Sequence, residues 1–186
     1  MANFTRNAIK DSFLKLLNER PLSQITVKDI VSDCGVNRNT FYYYFTDIPK
    51  LLEDIIDEDA ERIIQEFPTI AMIEDCLDAM IGFALKQKRA VLHIYNSVNR
   101  DIYEQYLWKV CEHTVKTYLD TVFGSKKIAE SDYYIVSYSC ECVLFGIVSG
   151  WLNKGMKDDI QDFFKRIYEL SKEAIEEIIR RYGEGK

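Results

Sequence analysis

The stretch that most constrains the fold is residues 26–45, where two short helical patterns meet at a glycine. Thr26 can cap the first helix with its hydroxyl, and Asp29, three residues later, can cap back in return. The apolar pattern of this helix stops at Gly35, a residue suited to the left-handed conformation that ends a helix. Asn37 can then cap a second helix. Two short helices joined by a tight, glycine-containing turn predict a helix-turn-helix.

The second helix of this pair combines an apolar side with an unusually polar and aromatic one. Phe41 and Phe45, spaced i,i+4, are expected to anchor one face in the core. The other positions carry hydrogen-bond donors and aromatic rings that can reach phosphates and base edges; they are Arg38, Asn39, Thr40, Tyr42, Tyr43 and Tyr44. Packing alone explains three consecutive tyrosines on a short polar helix poorly. The pattern therefore predicts that this helix reads nucleic acid.

The same stretch resembles the TetR family of bacterial one-component transcription regulators. The resemblance lies in Ile-Thr-Val-Lys-Asp-Ile-Val at 25–31, Gly-Val at 35–36 and Thr-Phe-Tyr-Tyr-Tyr-Phe at 40–45. Leu51-Leu52 then stand where the family's fourth helix begins. The match covers roughly residues 5–55, and many positions agree in order, so it is more specific than a single glycine motif.

This resemblance implies a set of DNA contacts. Tyr42 corresponds to a backbone-phosphate contact, and Thr26 to a phosphate donor at the start of the first helix. Arg38, Asn39, Thr40 and Tyr43 stand where the family reads bases or nearby phosphates, and Lys28 and Lys50 would add charge at the edges. One departure concerns Ile48, where many members carry Lys. Whether Lys50 replaces that phosphate contact is open, as is whether Tyr44 contacts DNA or the core.

Charge and composition agree with a soluble DNA-binding protein. The net charge of −6 divides into +2 for residues 1–50 and −8 for the remainder, which predicts a mildly basic reader on an acidic body. The N-terminus lacks the apolar run of a signal peptide, and the odd number of cysteines, five, favours reduced thiols. We therefore expect a cytoplasmic protein without a membrane partner.

The remaining chain has helical periodicity throughout, so the predicted fold class is all-α with about nine helices. The predicted domains are a three-helix DNA-binding domain at 1–46 and a helical effector-binding and dimerisation domain at 47–186. Tyr95-Asn96-Ser97 and Gly150-Trp151-Leu152 with Gly155-Met156 resemble a regulatory domain found in many Gram-positive TetR-type regulators. That second resemblance is looser, and it implies a fold without naming a ligand.

Aromatic side chains in the predicted second domain indicate a ligand pocket for a small organic effector. The candidate lining residues are Phe83, His93, Tyr95, Tyr103, Tyr106 and Tyr138. An acidic, aromatic-rich domain would favour a cationic ligand. The alternative for any single residue is that it fills core.

A homodimer interface is predicted on the last two helices. Small residues recur at helical spacing on the eighth helix, where another helix can approach closely, and apolar residues form an extended stripe on the ninth. The candidate interface residues are Cys142, Gly146, Gly150, Phe163, Ile167, Leu170 and Ala174. The alternative is that the small residues pack against the ninth helix of the same chain.

Enzymatic and metal chemistry find little support in the sequence. His93 and His113 are the only histidines, and neither a Ser-His-Asp order nor a phosphate-binding glycine loop is present. Cys111-Glu112-His113 and Cys140-Glu141-Cys142 contain metal-ligand residue types, but side chains two apart on a helix diverge, so neither trio can chelate as a unit. No catalytic residue, metal or cofactor is predicted.

The predicted function is that of a homodimeric repressor that binds double-stranded operator DNA and is released by a small-molecule effector. One alternative is a transcriptional activator or adaptor that is controlled by a protein partner docking on the C-terminal domain. A metal or redox sensor that uses the cysteines is a further alternative.

Overall fold

The computed structural model describes residues 2–68, 72–97, 100–124 and 128–183, and within these ranges it contains nine α-helices and no strand. The helices are α1 (Ala2–Glu19), α2 (Val27–Asp33), α3 (Arg38–Tyr44), α4 (Ile48–Glu66), α5 (Ile73–Lys86), α6 (Lys88–Tyr95), α7 (Arg100–Phe123), α8 (Glu130–Asn153) and α9 (Ile160–Gly183). A 3₁₀ turn at Leu22–Gln24, which the sequence analysis did not predict, precedes α2. The all-α class is confirmed.

The chain forms two compact units, of which the first comprises Met1–Asp59 and Ala84–Tyr106. Its core contains the apolar stripes of α1 to α4, and residues of α6 and α7 join it. The most deeply buried side chains are Ile9, Phe13, Leu17, Ile30, Phe41, Phe45 and Leu51. On α3, the buried face is the one that the i,i+4 spacing of Phe41 and Phe45 predicted.

Polar contacts join α1 to the helices around it in this unit. The Ser12 hydroxyl is buried and donates to the Ile30 carbonyl at 3.1 Å, which ties α1 to α2. His93 Nδ1 lies 2.7 Å from the Leu17 carbonyl oxygen, and the Asn18 amide donates to the Gln87 side chain at 2.9 Å. These bonds attach α6 to α1, so α6 braces the N-terminal helices.

The second unit comprises Ala60–Phe83 and Leu107–Lys186. A buried cluster of Ile63, Ile64, Cys76 and Tyr118 joins the end of α4 to α5 and α7. The Tyr118 hydroxyl donates to the Phe67 carbonyl at 2.5 Å, which satisfies a backbone group just past the end of α4. The predicted domain boundary at 46/47 differs from this division of the chain into units, and that boundary stays a prediction.

The segment after α8 explains part of the C-terminal sequence pattern. Gly155 has φ +71° and Met156 has φ +55°, both in the left-handed region. Met156 is nevertheless buried, and its N–H donates to the Trp151 carbonyl at 3.0 Å. The Trp151 indole in turn donates to the Asp158 carbonyl at 2.9 Å. These residues therefore end α8 and orient the start of α9, which is a structural role.

Candidate nucleic-acid interface

The start of α2 is built by a capping box, as the sequence predicts. The Asp29 N–H donates to the Thr26 hydroxyl oxygen at 3.3 Å, and the Thr26 N–H donates to the Asp29 carboxylate at 2.9 Å. The Thr26 hydroxyl also donates to that carboxylate at 2.6 Å. These hydrogen bonds hold the pKa of Asp29 below its usual value. Because its proton is given to Asp29, Thr26 must exchange that bond before it can donate to a phosphate.

The turn between α2 and α3 depends on one glycine. Gly35 has φ +71°, a conformation that strains any residue with a Cβ. The next N–H, that of Val36, donates to the Val31 carbonyl at 3.0 Å, which completes a Schellman ending for α2. Asn37 then caps α3, accepting from the Thr40 N–H at 2.8 Å. Local sequence thus sets the angle at which α3 leaves the turn.

Helix α3 is anchored on one side and exposed on the other. Phe41 and Phe45 are 0% and 1% exposed, so they fix the helix in the first unit's core. Tyr42 and Tyr43 are 55% and 79% exposed, which leaves two large aromatic rings in solvent. Arg38 and Asn39 are exposed beside them, whereas Thr40 is half-buried. This face presents donors and flat rings that suit a phosphate backbone and base edges.

The structure favours the core alternative for Tyr44. Its ring is half-buried and packs against the hydrophobic cluster of the first unit. It also makes an edge-to-face contact with Tyr43, with ring centroids 4.9 Å apart. Tyr44 therefore supports the Tyr43 ring from the core side of α3, and a DNA contact of Tyr44 itself stays untested.

Two cations of α1 are paired with carboxylates of α4. The Arg6 guanidinium bonds both Asp54, at 2.7 Å, and Glu58, and lies 5.6 Å from the centre of the Phe45 ring. Lys10 is buried and pairs with Glu58. Burial raises the pKa of Glu58, but hydrogen bonds from Lys10 and Arg6 outweigh it and leave that pKa below its usual value. Arg6 and Lys10 therefore join α1 to α4 in the DNA-free protein.

Lys50 belongs to the same group of charges. Its ammonium lies 2.8 Å from Glu53 and 3.0 Å from Asp54, one turn further along α4. Hydrogen bonds to these two carboxylates raise the pKa of Lys50. A phosphate must compete with both acids for this lysine, and whether Lys50 replaces the lysine that many family members carry at the position of Ile48 stays a prediction.

Pairing leaves two cations of the helix-turn-helix region available. Lys15 pairs with Asp33 at 2.5 Å, and Arg20 lies 3.4 Å from Asp29. Lys28 in the first turn of α2 and Arg38 in the first turn of α3 are exposed, and neither forms an ion pair with any residue in the described ranges. Their charges are close to helix N-termini, where phosphates also bind favourably. These two residues are the strongest electrostatic candidates.

The candidate pocket residues divide between the two units. His93, Tyr95, Tyr103 and Tyr106 belong to the first unit, and Phe83 and Tyr138 belong to the second. Tyr95 and Tyr106 are buried, and the Tyr106 hydroxyl donates to the Pro49 carbonyl at 3.3 Å. His93 bonds the Leu17 carbonyl, as described above. These four side chains have structural contacts within the first unit, and a shared effector pocket stays a prediction.

The candidate dimer residues lie largely at the surface of the single chain. Phe163 and Leu170 are 52% and 73% exposed, Cys142 and Gly146 are also exposed, and Gly150 and Ile167 are intermediate. A Cβ placed on Gly146 or Gly150 would meet nothing within 4 Å. The side chain of Ala174 lies outside the described residues. In this chain, open space adjoins the small side chains of α8.

Helix α8 is unusually apolar for its exposure. It is the one described helix long and apolar enough to cross a membrane by length and composition, yet only 22% of its apolar window is buried within the chain. A helix that packs against a protein partner meets the same criterion, so the observation does not assign α8 to a membrane. It does show that α8 has apolar surface that this chain leaves uncovered.

The sequence analysis missed the acidic partners Glu53, Asp54 and Glu58. Lys50 and Asp54 stand at i,i+4 spacing on a helix, a signal that could have indicated their pairing. Arg6 pairs with Asp54 and Glu58, which follow it by 48 and 52 positions in the sequence, so no local pattern could have indicated this pairing. Among the described residues, no group of three His, Cys, Asp or Glu side chains could hold a metal ion.

An exposed recognition helix on a glycine-ended helix-turn-helix defines this protein as a DNA-binding protein of the helix-turn-helix class. The family model described as "Bacterial regulatory proteins, tetR family" matches residues 11–55. A second model, "Transcriptional regulator C-terminal region", matches residues 72–173, which is more than half of the chain. The chain belongs to the TetR family of transcriptional regulators.

Curated relatives match over short segments. An uncharacterized HTH-type transcriptional regulator, YxbF of Bacillus subtilis, is 28% identical over 85 residues, which span 46% of this chain and 21% of that protein. The HTH-type transcriptional regulator EthR of Mycobacterium tuberculosis is 34% identical over 56 residues, spanning 30% of this chain and 26% of EthR. The matched segments thus cover about a quarter or less of each relative.

Two solved structures share the fold over nearly the whole chain. The dihydroxyacetone kinase operon activator DhaS has a TM-score of 0.73 and 16% identity, covering 92% of this chain and 96% of DhaS. The fatty acid degradation regulator FadR from Bacillus halodurans has a TM-score of 0.57 and 18% identity, covering 89% of this chain and 93% of FadR. At these identities the likeness describes the fold alone.

Proposed function

We propose that this protein is a homodimeric repressor whose two copies of α3 bind successive major grooves of an operator. The observation that carries the proposal is the exposed face of α3, where Arg38, Asn39, Tyr42 and Tyr43 project from a helix fixed by buried phenylalanines. Two such heads fit one DNA face when they lie about 34–36 Å apart. A small-molecule effector would release the operator if it binds more tightly to a dimer conformation in which the two copies of α3 are spaced too far apart or too close together for successive grooves.

The dimer is proposed to form through α8 and α9 of two copies. Both helices expose apolar side chains, including Val143 at 55%, Phe163 at 52% and Leu170 at 73%. A second copy of the same surface can bury these stripes in a four-helix arrangement around a two-fold axis. The open space beside Gly146 lets a partner helix approach closely. The proposed site of action is the cytoplasm, where such a regulator meets DNA.

The salt dependence of operator binding tests the proposed contacts. With Lys28 and Arg38 as the available cations in each of two subunits, log K should fall with log salt with a slope of about −4. If Lys50 leaves its carboxylates to bind phosphate, the slope should steepen to about −5. Fluorescence anisotropy with a labelled duplex from the protein's own promoter, between low and physiological salt, measures this slope. Absence of a specific complex at every salt concentration would exclude operator binding.

An activator controlled by a protein partner is the second candidate. Tyr134 and Ile135 near the start of α8 are 63% and 61% exposed, and Tyr134 stacks on Tyr138 with ring centroids 5.8 Å apart. Such an apolar surface is typical of interaction sites when no partner is present. The shared fold with DhaS, an operon activator by its description, is compatible with this role. In vitro transcription from the bound promoter separates the two: repression lowers the transcript and activation raises it.

The redox alternative has less support from the thiols. Burial raises the pKa of Cys111 to about 12 and also raises the pKa of Cys76. Because the thiolate is the reactive form, these two thiols are poor nucleophiles at neutral pH. A DNA-binding assay with and without hydrogen peroxide tests the remaining cysteines.

A further inference from the structure

One charged side chain interrupts the apolar part of α8. Between Asp132 and Lys154, Glu141 is the only charged residue of the helix. It is 4% exposed, and its Oε1 is buried without a hydrogen-bond partner among the described residues. Glutamate is almost never fully buried unless it is paired, and leaving a buried charged acceptor unsatisfied is costly. A group that the single chain does not supply would satisfy this oxygen.

The charges that face Glu141 do not neutralise it. Burial raises the pKa of this carboxyl, repulsion from Glu112 on α7 raises it further, and Lys116 lowers it. The Lys116 ammonium, however, donates to the Glu112 carboxylate. One lysine thus faces two acids, so the local charge remains negative when Glu141 is ionised. The environment favours a positively charged ligand.

Aromatic rings occupy the same face of the second unit. Tyr138 and Phe145 stand three residues before and four after Glu141, so all three share one face of α8. The Trp108 ring on α7 contacts both, with centroids 5.8 Å from Tyr138 and 5.4 Å from Phe145. Along α8, Glu141 therefore lies between the two residues whose rings contact Trp108. Electron-rich ring faces beside a carboxylate are the combination that recognises organic ammonium groups.

We propose that Glu141 and the rings of Trp108, Tyr138 and Phe145 form a binding site for an organic cation, an amine or quaternary ammonium with an apolar substituent. The carboxylate neutralises the charge, and the rings pack against the apolar part and the ammonium methyl groups. A bare divalent metal fits less well, because Mg²⁺ and Ca²⁺ need several oxygen ligands. The role of this cation as the effector rests on the proposed repressor function. Cation binding itself can be measured without DNA, so its test does not depend on the proposed function.

Isothermal titration calorimetry with benzyltrimethylammonium tests the site on the full chain without DNA. Saturable binding is expected, with benzyl alcohol and phenylacetate, the neutral and anionic analogues, binding at least tenfold more weakly. Glu141→Gln keeps the shape and removes the charge, so it should weaken the cation by about tenfold or more. Glu130→Gln, an equal charge change at an exposed position of the same helix, should stay within about twofold of wild type. Circular dichroism verifies that each variant is folded.

Three results would overturn the site. They are no saturable cation binding by the folded wild type, equal binding by Glu141→Gln, and equal binding of benzyl alcohol. A second variant, Trp108→Leu, should weaken the cation while leaving an intact carboxylate, and unchanged affinity there would also contradict the geometry. Promoter binding is measured separately with and without the cation. If the cation binds through Glu141 but DNA affinity does not change, the site stands and its assignment as the effector site fails. Absence of promoter binding even without the cation refutes the proposed function alone.

Discussion

Replacing Gly146 with leucine separates packing within one chain from packing between two. Gly146 lies in α8, is exposed, and has no heavy atom within 4 Å of a Cβ built on it. The single chain can therefore accept a larger side chain without a clash at the Cβ. Leucine is also a better helix former than glycine, by somewhat less than the about 0.8–1 kcal/mol that separates glycine from alanine. The variant should fold with unchanged helical content and with equal or higher thermal stability as a monomer.

The dimer should respond in the opposite direction. Overpacking costs about 1–3 kcal/mol at each site, and a two-fold interface contains the substituted residue twice. The expected loss is roughly 2–6 kcal/mol per dimer, which raises its dissociation constant by roughly 30-fold to 20,000-fold. Operator affinity should fall with it, because a single half-site binds weakly.

Sedimentation equilibrium over a concentration series measures this dissociation constant directly. Gly82→Leu is the matched control, because Gly82 lies in α5 and also has open space beside it, yet it is outside the proposed interface. Ile167→Glu, on α9, should also yield monomer by burying a charge in the interface. If Gly146→Leu and Ile167→Glu both remain dimeric at micromolar concentration, the interface lies elsewhere. If Gly146→Leu loses helical content, the glycine packs within its own chain.

Three further predictions concern the DNA-binding unit. Tyr42→Ala should weaken binding to all sequences, whereas Arg38→Ala should also relax the preference at particular base pairs. Fluorescence anisotropy with a panel of mutated duplexes distinguishes the two effects. If both variants are folded and bind as tightly and as selectively as wild type, these contacts are excluded. Asn37→Ala should lower the free energy of unfolding by about 1 kcal/mol in urea titrations, because it removes the cap of α3, and Asn39→Ala on the exposed face should not. Burial raises the pKa of Asp54, but hydrogen bonds from its cationic partners outweigh it, so its folded pKa is below the usual value of about 3.9. Its stabilising effect is therefore fully present above that value and is lost as pH falls through the folded pKa. In urea titrations, the free energy of unfolding of the wild type should exceed that of Asp54→Asn at neutral pH, and the difference should shrink at acid pH. An equal difference at both pH values would contradict the pairing.

The elements of the DNA-binding unit could be predicted from the sequence because their signals are local. The Thr26 and Asn37 caps act on N–H groups three residues away, and the left-handed turn depends on Gly35 having no side chain. The apolar spacing of Phe41 and Phe45 identifies the buried face of α3 within a single turn. Each of these features is determined within a few residues, so an isolated stretch of chain contains the information.

Contacts between distant helices decide which candidate side chains are available for function. Arg6 lies beside Asp54, and His93 bonds the Leu17 carbonyl, because core packing brings α1 against α4 and α6. Helical periodicity indicates which side of a helix is buried, but it does not tell which charge on a neighbouring helix lies within ion-pair distance. For the same reason, the sequence does not indicate that Glu141 is buried with a carboxylate oxygen lacking a hydrogen-bond partner among the described residues, because its neighbours come from α7 as well as from α8. Folding in three dimensions therefore leaves Lys28 and Arg38 exposed and without an ion pair among the described residues, while it pairs five other cations of residues 1–50, namely Arg6, Lys10, Lys15, Arg20 and Lys50.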